Sequence, residues 1–274
     1  MKSSLPLAAL AVLALLVSRS GASEMRDELR VDAAHYSVMR ALFGTYGYRP
    51  RQTLFWETAG LRFQLPGGAE GVGQTGVYSY FALSGDCETI LTYDLLNVPP
   101  PRGGYGSGVG LAFDFGGGGG RGAIQRLIRP MEGDGYVLQT VPGEFAKSMK
   151  EVDRFVPAAS RQGRIGLRRV KNELIFLSAD ALDGPLQEID RLPFTERTIR
   201  AVRVFADPGG SPTALDTRMS NIEIRAEEIA LGVPRREQTT RSWGWVGTIV
   251  VAVGGVVAFW AWRRKRRKFY QPEA

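Results

Sequence analysis

Histidine and cysteine are almost missing from this chain of 274 residues, which has one of each, His35 and Cys87. A multi-histidine metal site, a His/Cys zinc site and an intramolecular disulfide are excluded. A Ser/His/Asp or Cys/His enzyme would have to work through His35. Tryptophan is scarce too: Trp243, Trp245, Trp260 and Trp262 fall in one stretch and leave Trp56 alone elsewhere. That scarcity weighs against a strong aromatic sugar-binding platform. Nor does the body of the chain carry charge of one sign. The formal net charge is +7, but the excess comes from Lys2, Arg19 and the block Arg263-Arg264-Lys265-Arg266-Arg267-Lys268. Between positions 23 and 262 basic and acidic residues balance. No domain-wide basic patch is present, so no nucleic-acid partner is expected. Apolar residues make up 44% and charged residues 23%, which excludes a disordered or fibrous chain.

The two ends carry topology signals. Residues 1–22 read as a signal peptide: Lys2 forms the positive start, Leu5 to Val17 the apolar run, and Ser20-Gly21-Ala22 a small-residue cleavage site. That run is short for a bilayer of about 30 Å. Trp243 to Trp262 contains no charge. As a helix rising ~1.5 Å per residue it spans about 30 Å. Tryptophans at both ends suit the headgroup layers, and the basic block behind stays cytoplasmic under the positive-inside rule. The expected plan is a signal peptide (1–22), an N-terminal segment (23–52), an ectodomain (53–231), a linker (232–242), one transmembrane helix (243–262) and a basic tail (263–274). It places a single-pass protein in the cell membrane, its N-terminal domain outside the cytoplasm and its C-terminus inside. No LPxTG or Pro-Glu-Pro motif precedes the helix, which favours a retained anchor over processing.

Between the ends the signals are β. Residues 27–43 fit a short amphipathic helix stopped by Gly44, Gly47 and Pro50. From Thr53 onward, short runs suited to strands follow one another: Leu61 to Leu65, Val77 to Leu83, Cys87 to Leu96, Ser107 to Phe115, Tyr136 to Val141, Arg164 to Val170, Glu173 to Ser178, Leu186 to Asp190, Arg200 to Ala206 and Ala214 to Ile224. Gly/Pro/Asp clusters separate them, and no helical pattern intervenes. This predicts an all-β sandwich or jelly roll. Lys171-Asn172 suits a two-residue hairpin turn. The run Leu174 to Leu177 suits a strand covered on both faces. Leu215 and Met219 share one parity and Ile222 and Ile224 the other, so a bulge near Ser220-Asn221 is expected.

Four stretches carry a resemblance: Gly85-Asp86-Cys87-Glu88, Pro99-Pro100-Pro101-Arg102-Gly103-Gly104-Tyr105-Gly106, Gly163-Arg164-Ile165-Gly166-Leu167-Arg168-Arg169 and Leu215-Asp216-Thr217-Arg218-Met219. Together they resemble uncharacterised extracytoplasmic domains of planctomycete-type bacteria. That resemblance implies a concanavalin A-like, laminin G-like jelly roll over roughly Thr53 to Leu231. It implies no catalytic pattern. Relatives of the wider fold bind glycans or proteins, and some cleave glycans.

Candidate chemistry is sparse. Glu188-Ile189-Asp190 is similar to the start of the Glu-x-Asp-x-x-Glu motif of jelly-roll glucanases, but Arg191-Leu192-Pro193 follows and the acid/base partner is missing. A solvated edge explains it better. On the strand from Cys87, alternation sends Cys87 inward as a small hydrophobe and puts Glu88 and Asp94 on the opposite face. Those two stand ~20 Å apart, too far to act as a pair. Gly71-Val72-Gly73-Gln74-Thr75-Gly76 and Gly116 to Gly120 lack the strand-to-helix context or the Lys-Ser/Thr of phosphate loops. Asp134 and Asp207 are single aspartates in turns, of a kind that can help hold calcium, and no metal or cofactor is expected. Tyr78 and Tyr80 form a short stacking platform, with Arg62 and Gln64 as hydrogen-bonding partners. The reading is a non-enzymatic binding module for a glycan, an envelope polymer or a protein. The alternatives are a polysaccharide hydrolase with an unrecognised carboxylate pair and a structural envelope protein.

Overall fold

The computed structural model describes residues 27–67, 72–116, 120–144 and 149–232. The expected signal peptide, most of the linker, the membrane helix and the basic tail lie outside the described residues. Among the described residues no helix is long and apolar enough to cross a membrane.

Two antiparallel sheets enclose one core. The first is eight-stranded, in the order β13 (Gln187–Pro193), β12 (Glu173–Ala179), β11 (Gln162–Val170), β6 (Phe81–Asn97), β15 (Leu215–Leu231), β4 (Gly60–Leu65) and β3 (Leu54–Glu57), with β1 (Asp27–Asp32) also paired to β15. The second is seven-stranded, in the order β10 (Val152–Pro157), β9 (Gly133–Pro142), β8 (Gly120–Arg129), β7 (Ser107–Asp114), β14 (Ala201–Asp207), β5 (Thr75–Ser79) and β2 (Phe43–Tyr46). Two short helices, α1 (Tyr36–Leu42) and α2 (Pro50–Thr53), link the early strands.

Alternation builds the core. Leu61, Phe63 and Leu65 of β4 and Cys87, Leu91, Tyr93 and Leu95 of β6 point inward and meet Val109, Leu111 and Phe113 of β7 and Val202 and Val204 of β14. Each such Leu, Val or Phe contributes about 1.5–3 kcal/mol on burial. The hairpin at Lys171-Asn172 forms as expected: Val170 pairs with Glu173, and Lys171 takes φ 52°. Leu174 to Leu177 is buried throughout. The register of β15 slips between Met219 and Asn221, so Ser220 is the extra residue that brings Ile222 and Ile224 back to the inner face. On the partner strand, Ala226 pairs with Cys87 and Glu228 with Ser84. The added residue there is accommodated at Gly85, whose φ of 68° favours glycine.

Three expectations are corrected. Residues 27–43 do not make one helix. Asp27–Asp32 is a strand that completes the free edge of β15, and the Asp32 carboxylate accepts the Ala34 N–H at 2.9 Å to turn the chain into α1. With β1 and β2 in the sheets, the sandwich begins at Asp27 rather than Thr53. Val77 to Leu83 is not one strand, because the chain changes sheets at Tyr80, whose N–H donates to the Leu42 carbonyl at 2.8 Å. Finally, β8 and β10 had no predicted counterpart. In β8 the inward series Ile124, Arg126, Ile128 contains a fully buried arginine. Its guanidinium donates to the carbonyls of Leu127 (2.8 Å), Ser160 (3.0 Å), Gly135 (3.3 Å) and Ala158 (3.3 Å) and to the Asp134 carboxylate (2.8 Å). A buried charge is tolerated because every direction it points finds an acceptor.

Candidate functional site

The outer face of the seven-stranded sheet is defined by register. One row crosses it as Tyr78, Arg203, Ala112, Ala123, Gln139, Asp153, and a second as Gly76, Phe205, Gly110, Gln125, Val137, Phe155. Small residues occupy the middle. The Phe205 ring and Gln125 Cγ crowd over Gly110, where a Cβ would meet them at 2.4 and 2.9 Å. Ala112, Ala123 and Phe205 pack together, with Tyr46 against them.

One end is aromatic. Tyr78 lies over Gly44 of β2, where a Cβ would meet its ring at 2.5 Å. Its ring centroid is 6.3 Å from that of Tyr46 and 5.6 Å, edge-on, from that of Tyr80. The Arg203 guanidinium sits 4.3 Å from the Tyr46 centroid and donates to the Asp114 carboxylate at 3.1 Å. Burial pushes the Tyr46 phenol up to about 12, with the Arg203 charge acting against it.

The other end is built of neutral amides. Gln125 Nε2 donates to Gln139 Oε1 at 2.9 Å, and Gln139 Nε2 donates to the Tyr105 hydroxyl at 2.7 Å and to Asp153 Oδ2 at 3.2 Å. The Tyr105 hydroxyl donates to the same Asp153 oxygen at 2.5 Å. Burial, reinforced by that carboxylate, holds the Tyr105 phenol well above its ordinary pKa. Arg129 stacks 4.5 Å from the Tyr105 ring centroid. Gln125 Oε1 is buried and has no hydrogen-bond partner.

The sequence-predicted residues divide between the sheets. Tyr78 belongs to the aromatic end, and Tyr80 touches it from the bend beyond β5. Arg62 and Gln64 are on β4, in the other sheet. The predicted foursome therefore does not share a surface. Arg62 Nε donates to Asp216 at 2.8 Å and Nη1 to Glu57 at 3.0 Å, while Gln64 donates to Asp216 at 3.2 Å. These bonds hold the Asp216 carboxyl below its usual value and raise the Arg62 guanidinium. Arg203, Gln125, Gln139 and Asp153 were not predicted. Arg203 and Asp114 did lie on expected strands at outward parity, a signal that alternation alone offered.

Other candidates resolve into structural roles. Cys87 is buried, and burial pushes its thiol up to about 11. Glu188 and Asp190 lie on the edge strand β13, bonded to Arg191 and Arg154. Glu88 bonds Arg168 and Arg225, and Asp94 bonds Arg218. Asp134 holds Arg126 and Asp207 accepts from Gln74. His35 is exposed beside Asp32. Among the described residues no group of three His, Cys, Asp or Glu is placed to hold a metal. A separate cleft of about 380 Å³ is lined by Gly85, Asp86, Arg169, Lys171, Glu196 and Glu227.

On the seven-stranded face Asp114, Asp153 and Asp207 are widely spaced, whereas Asp153 and Glu132 share Arg129 Nη1, at 3.9 and 3.0 Å. Asp207 pairs with Gly108, at the far end of β7 from Asp114, about 20 Å along the strand. Asp153, on β10, is separated from Asp114 by three strand spacings, about 14 Å. Two carboxyls acting across a glycosidic bond stand about 5–9.5 Å apart.

No family model matches the chain, and no curated protein is similar to it. Solved structures are similar. A legume lectin-like domain from Entamoeba histolytica is 11% identical, with a TM-score of 0.51 over 76% of this chain and 99% of that one. A putative beta-glucanase from Mycobacterium abscessus is 11% identical, with a TM-score of 0.50 over 72% and 98%. A structure from work on endo-acting O-glycanases of human gut microbiota that initiate mucin breakdown is 13% identical, with a TM-score of 0.50 over 70% and 93%. At these identities the likeness establishes the fold alone: a concanavalin A/legume lectin-like jelly roll, the jelly roll being what the strand pattern predicted and the concanavalin A-like form what the resemblance implied.

Proposed function

We propose that the chain is a non-enzymatic glycan-binding module, held at the outer side of a cell membrane by the helix expected at 243–262. The resemblance to planctomycete-type extracytoplasmic domains supports that setting. The observation that carries the binding reading is the composition of the seven-stranded outer face. It joins a cluster of tyrosines and a guanidinium to a pair of neutral amides, while Asp114, Asp153 and Asp207 stand too far from one another for acid/base chemistry on one bond, and the closer Asp153 and Glu132 are both taken by Arg129. Aromatic faces take the apolar faces of a sugar ring, and amides take its hydroxyls. The solved neighbours include a lectin-like domain and a putative glucanase, so the fold is compatible with either activity.

The test is to immobilise neutral and envelope polysaccharides, apply the full chain in detergent, and measure both retention and release of reducing ends. Retention without release is the expected result. Release of reducing ends would replace binding with hydrolysis, and retention on none of the polymers would leave a structural envelope role.

A further inference from the structure

Where β6 passes β15, two residues face one. Ser84 pairs with Glu228 and Cys87 with Ala226, so Gly85 and Asp86 together oppose Glu227. A Cβ on Gly85 would overlap the Glu227 carboxylate, a second reason for glycine there. Bulges of this kind re-aim a side chain. Asp86 lines the cleft of about 380 Å³, with Gly85, Arg169, Lys171, Glu196 and Glu227.

The walls of the cleft are fixed from within. Arg169 is 1% exposed, and its guanidinium donates to the carbonyls of Gly85, Thr195 and Arg197. It ties the bulge to the loop that follows β13. Asp86 Oδ1 accepts the Lys171 N–H at 2.6 Å, which ties the bulge to the hairpin between β11 and β12. Four charged groups are left unspent. Asp86 is 8% exposed, and its Oδ2 takes no hydrogen bond. The side chains of Lys171, Glu196 and Glu227 make no hydrogen bond or ion pair among the described residues. Elsewhere on this sheet opposite charges close on each other, as Glu88 does on Arg168 and Asp94 on Arg218. Around the cleft they are held apart. Its volume falls in the range of about 300–1,000 Å³ that small-molecule sites occupy. Among the described residues no three carboxylates are placed to hold a metal, so the occupant is larger than an ion.

We propose that this cleft is a second binding site, for a small zwitterion: an ammonium carried a few bonds from a carboxylate, as in a free α-amino acid. The ligand ammonium meets Asp86 Oδ2, with Glu196 and Glu227 beside it, and the ligand carboxylate meets the Lys171 ammonium. A lone anion would face three carboxylates for one free cation. A lone amine would leave Lys171 unanswered. The site belongs to the eight-stranded sheet and does not depend on glycan binding by the other face.

The experiment is equilibrium dialysis of radiolabelled alanine against the full chain in detergent. Ethanolamine, N-acetylalanine and betaine are the competitors; they lack the carboxylate, the ammonium and the N–H donors respectively. Alanine is expected to bind saturably, and each competitor should displace it about tenfold or more weakly than unlabelled alanine does. Asp86→Asn keeps an acceptor for the Lys171 N–H and should weaken alanine about tenfold. Glu227→Gln alters an exposed side chain, so the melting temperature should stay near that of the wild type while affinity falls several-fold. Lys171→Asn suits the left-handed turn position and should abolish the preference for alanine over ethanolamine, a ratio that a merely structural role in the turn would not move. No saturable binding of alanine overturns the proposal, and so does wild-type affinity in a folded Glu227→Gln or Asp86→Asn. Ethanolamine matching alanine on the wild type overturns the assignment of a zwitterion.

Discussion

On the outer face of the eight-stranded sheet, Glu88 is held between Arg168 and Arg225, Asp94 by Arg218, and Asp216 by Arg62 and Gln64. On the outer face of the seven-stranded sheet, the middle strands carry Gly110, Ala112 and Ala123, flanked by tyrosines on one side and by Gln125 and Gln139 on the other. Both faces hold polar side chains and each leaves a buried group unpaired, Arg164 Nε on the first and Gln125 Oε1 on the second; what differs is the charge of the partners. A carboxylate that already accepts from two cations has little to offer a ligand. Charge pairs dominate the first face, and neutral amides and aromatic rings share the second with fewer of them.

The comparison breaks first at Glu88. Its side chain is 6% exposed and faces two guanidinium groups. Glu88→Ala takes the carboxylate from Arg168 while Arg225 keeps Glu28, and should lower unfolding free energy by about 2 kcal/mol, read as a fall in the urea midpoint. A loss under about 1 kcal/mol would show that this face is not stabilised by its charge pairs.

The two faces should also fail at opposite ends of the pH scale. Arg62 holds the Asp216 carboxyl below its usual value. Its contribution is complete above the ordinary aspartate pKa of about 4 and fades as pH falls below it. Burial raises Tyr46 from 10.0 to about 12. Its contribution is complete below pH 10 and is lost as pH rises toward 12, on the order of 2 kcal/mol. Melting temperature against pH should flatten on the acid limb in Asp216→Asn and on the alkaline limb in Tyr46→Phe. An exchange of those effects, or none, contradicts the contrast.

Smaller effects sharpen it. Tyr78→Ala should weaken glycan retention by about 1–2 kcal/mol, because aromatic anchors dominate contact energy. Arg203→Ala removes a partly exposed ion pair and should change stability by less than about 1 kcal/mol. Gln64→Ala, on the other sheet, should leave retention unchanged. Loss of retention there would return the ligand to the eight-stranded face.

Much of the fold was legible from alternation. The inward series of β6, the turn at Lys171-Asn172 and the slip near Ser220 follow from side-chain parity and turn chemistry. Parity reports which face of a strand a residue occupies but not to which sheet the strand belongs. Alternation with Leu61, Phe63 and Leu65 sends Arg62 and Gln64 outward on β4 but does not separate them from Tyr78. The amide pair was hidden for another reason. Arg126 puts a charge in the inward series of β8, and the acceptors that make it tolerable come from the stretch between Gly135 and Ser160 and from Asp134. Without them the segment does not read as a buried strand, and Gln125 had no face to be assigned to.

The pairing of β1 with β15 also fixes an order of events in time. Asp27 is matched to Ala226 and Asp32 to Asn221, so the earliest described strand must wait for the latest before it can dock. While the chain is being synthesised, β6 and β4 likewise lack the neighbour that β15 provides. A truncated or half-emerged molecule therefore displays bare strand edges, a hazard for self-association. Closure of the sheet is a late and slow step, governed by contacts between distant parts of the chain, and a handling factor that shields those edges until the final strand arrives would have the most to protect.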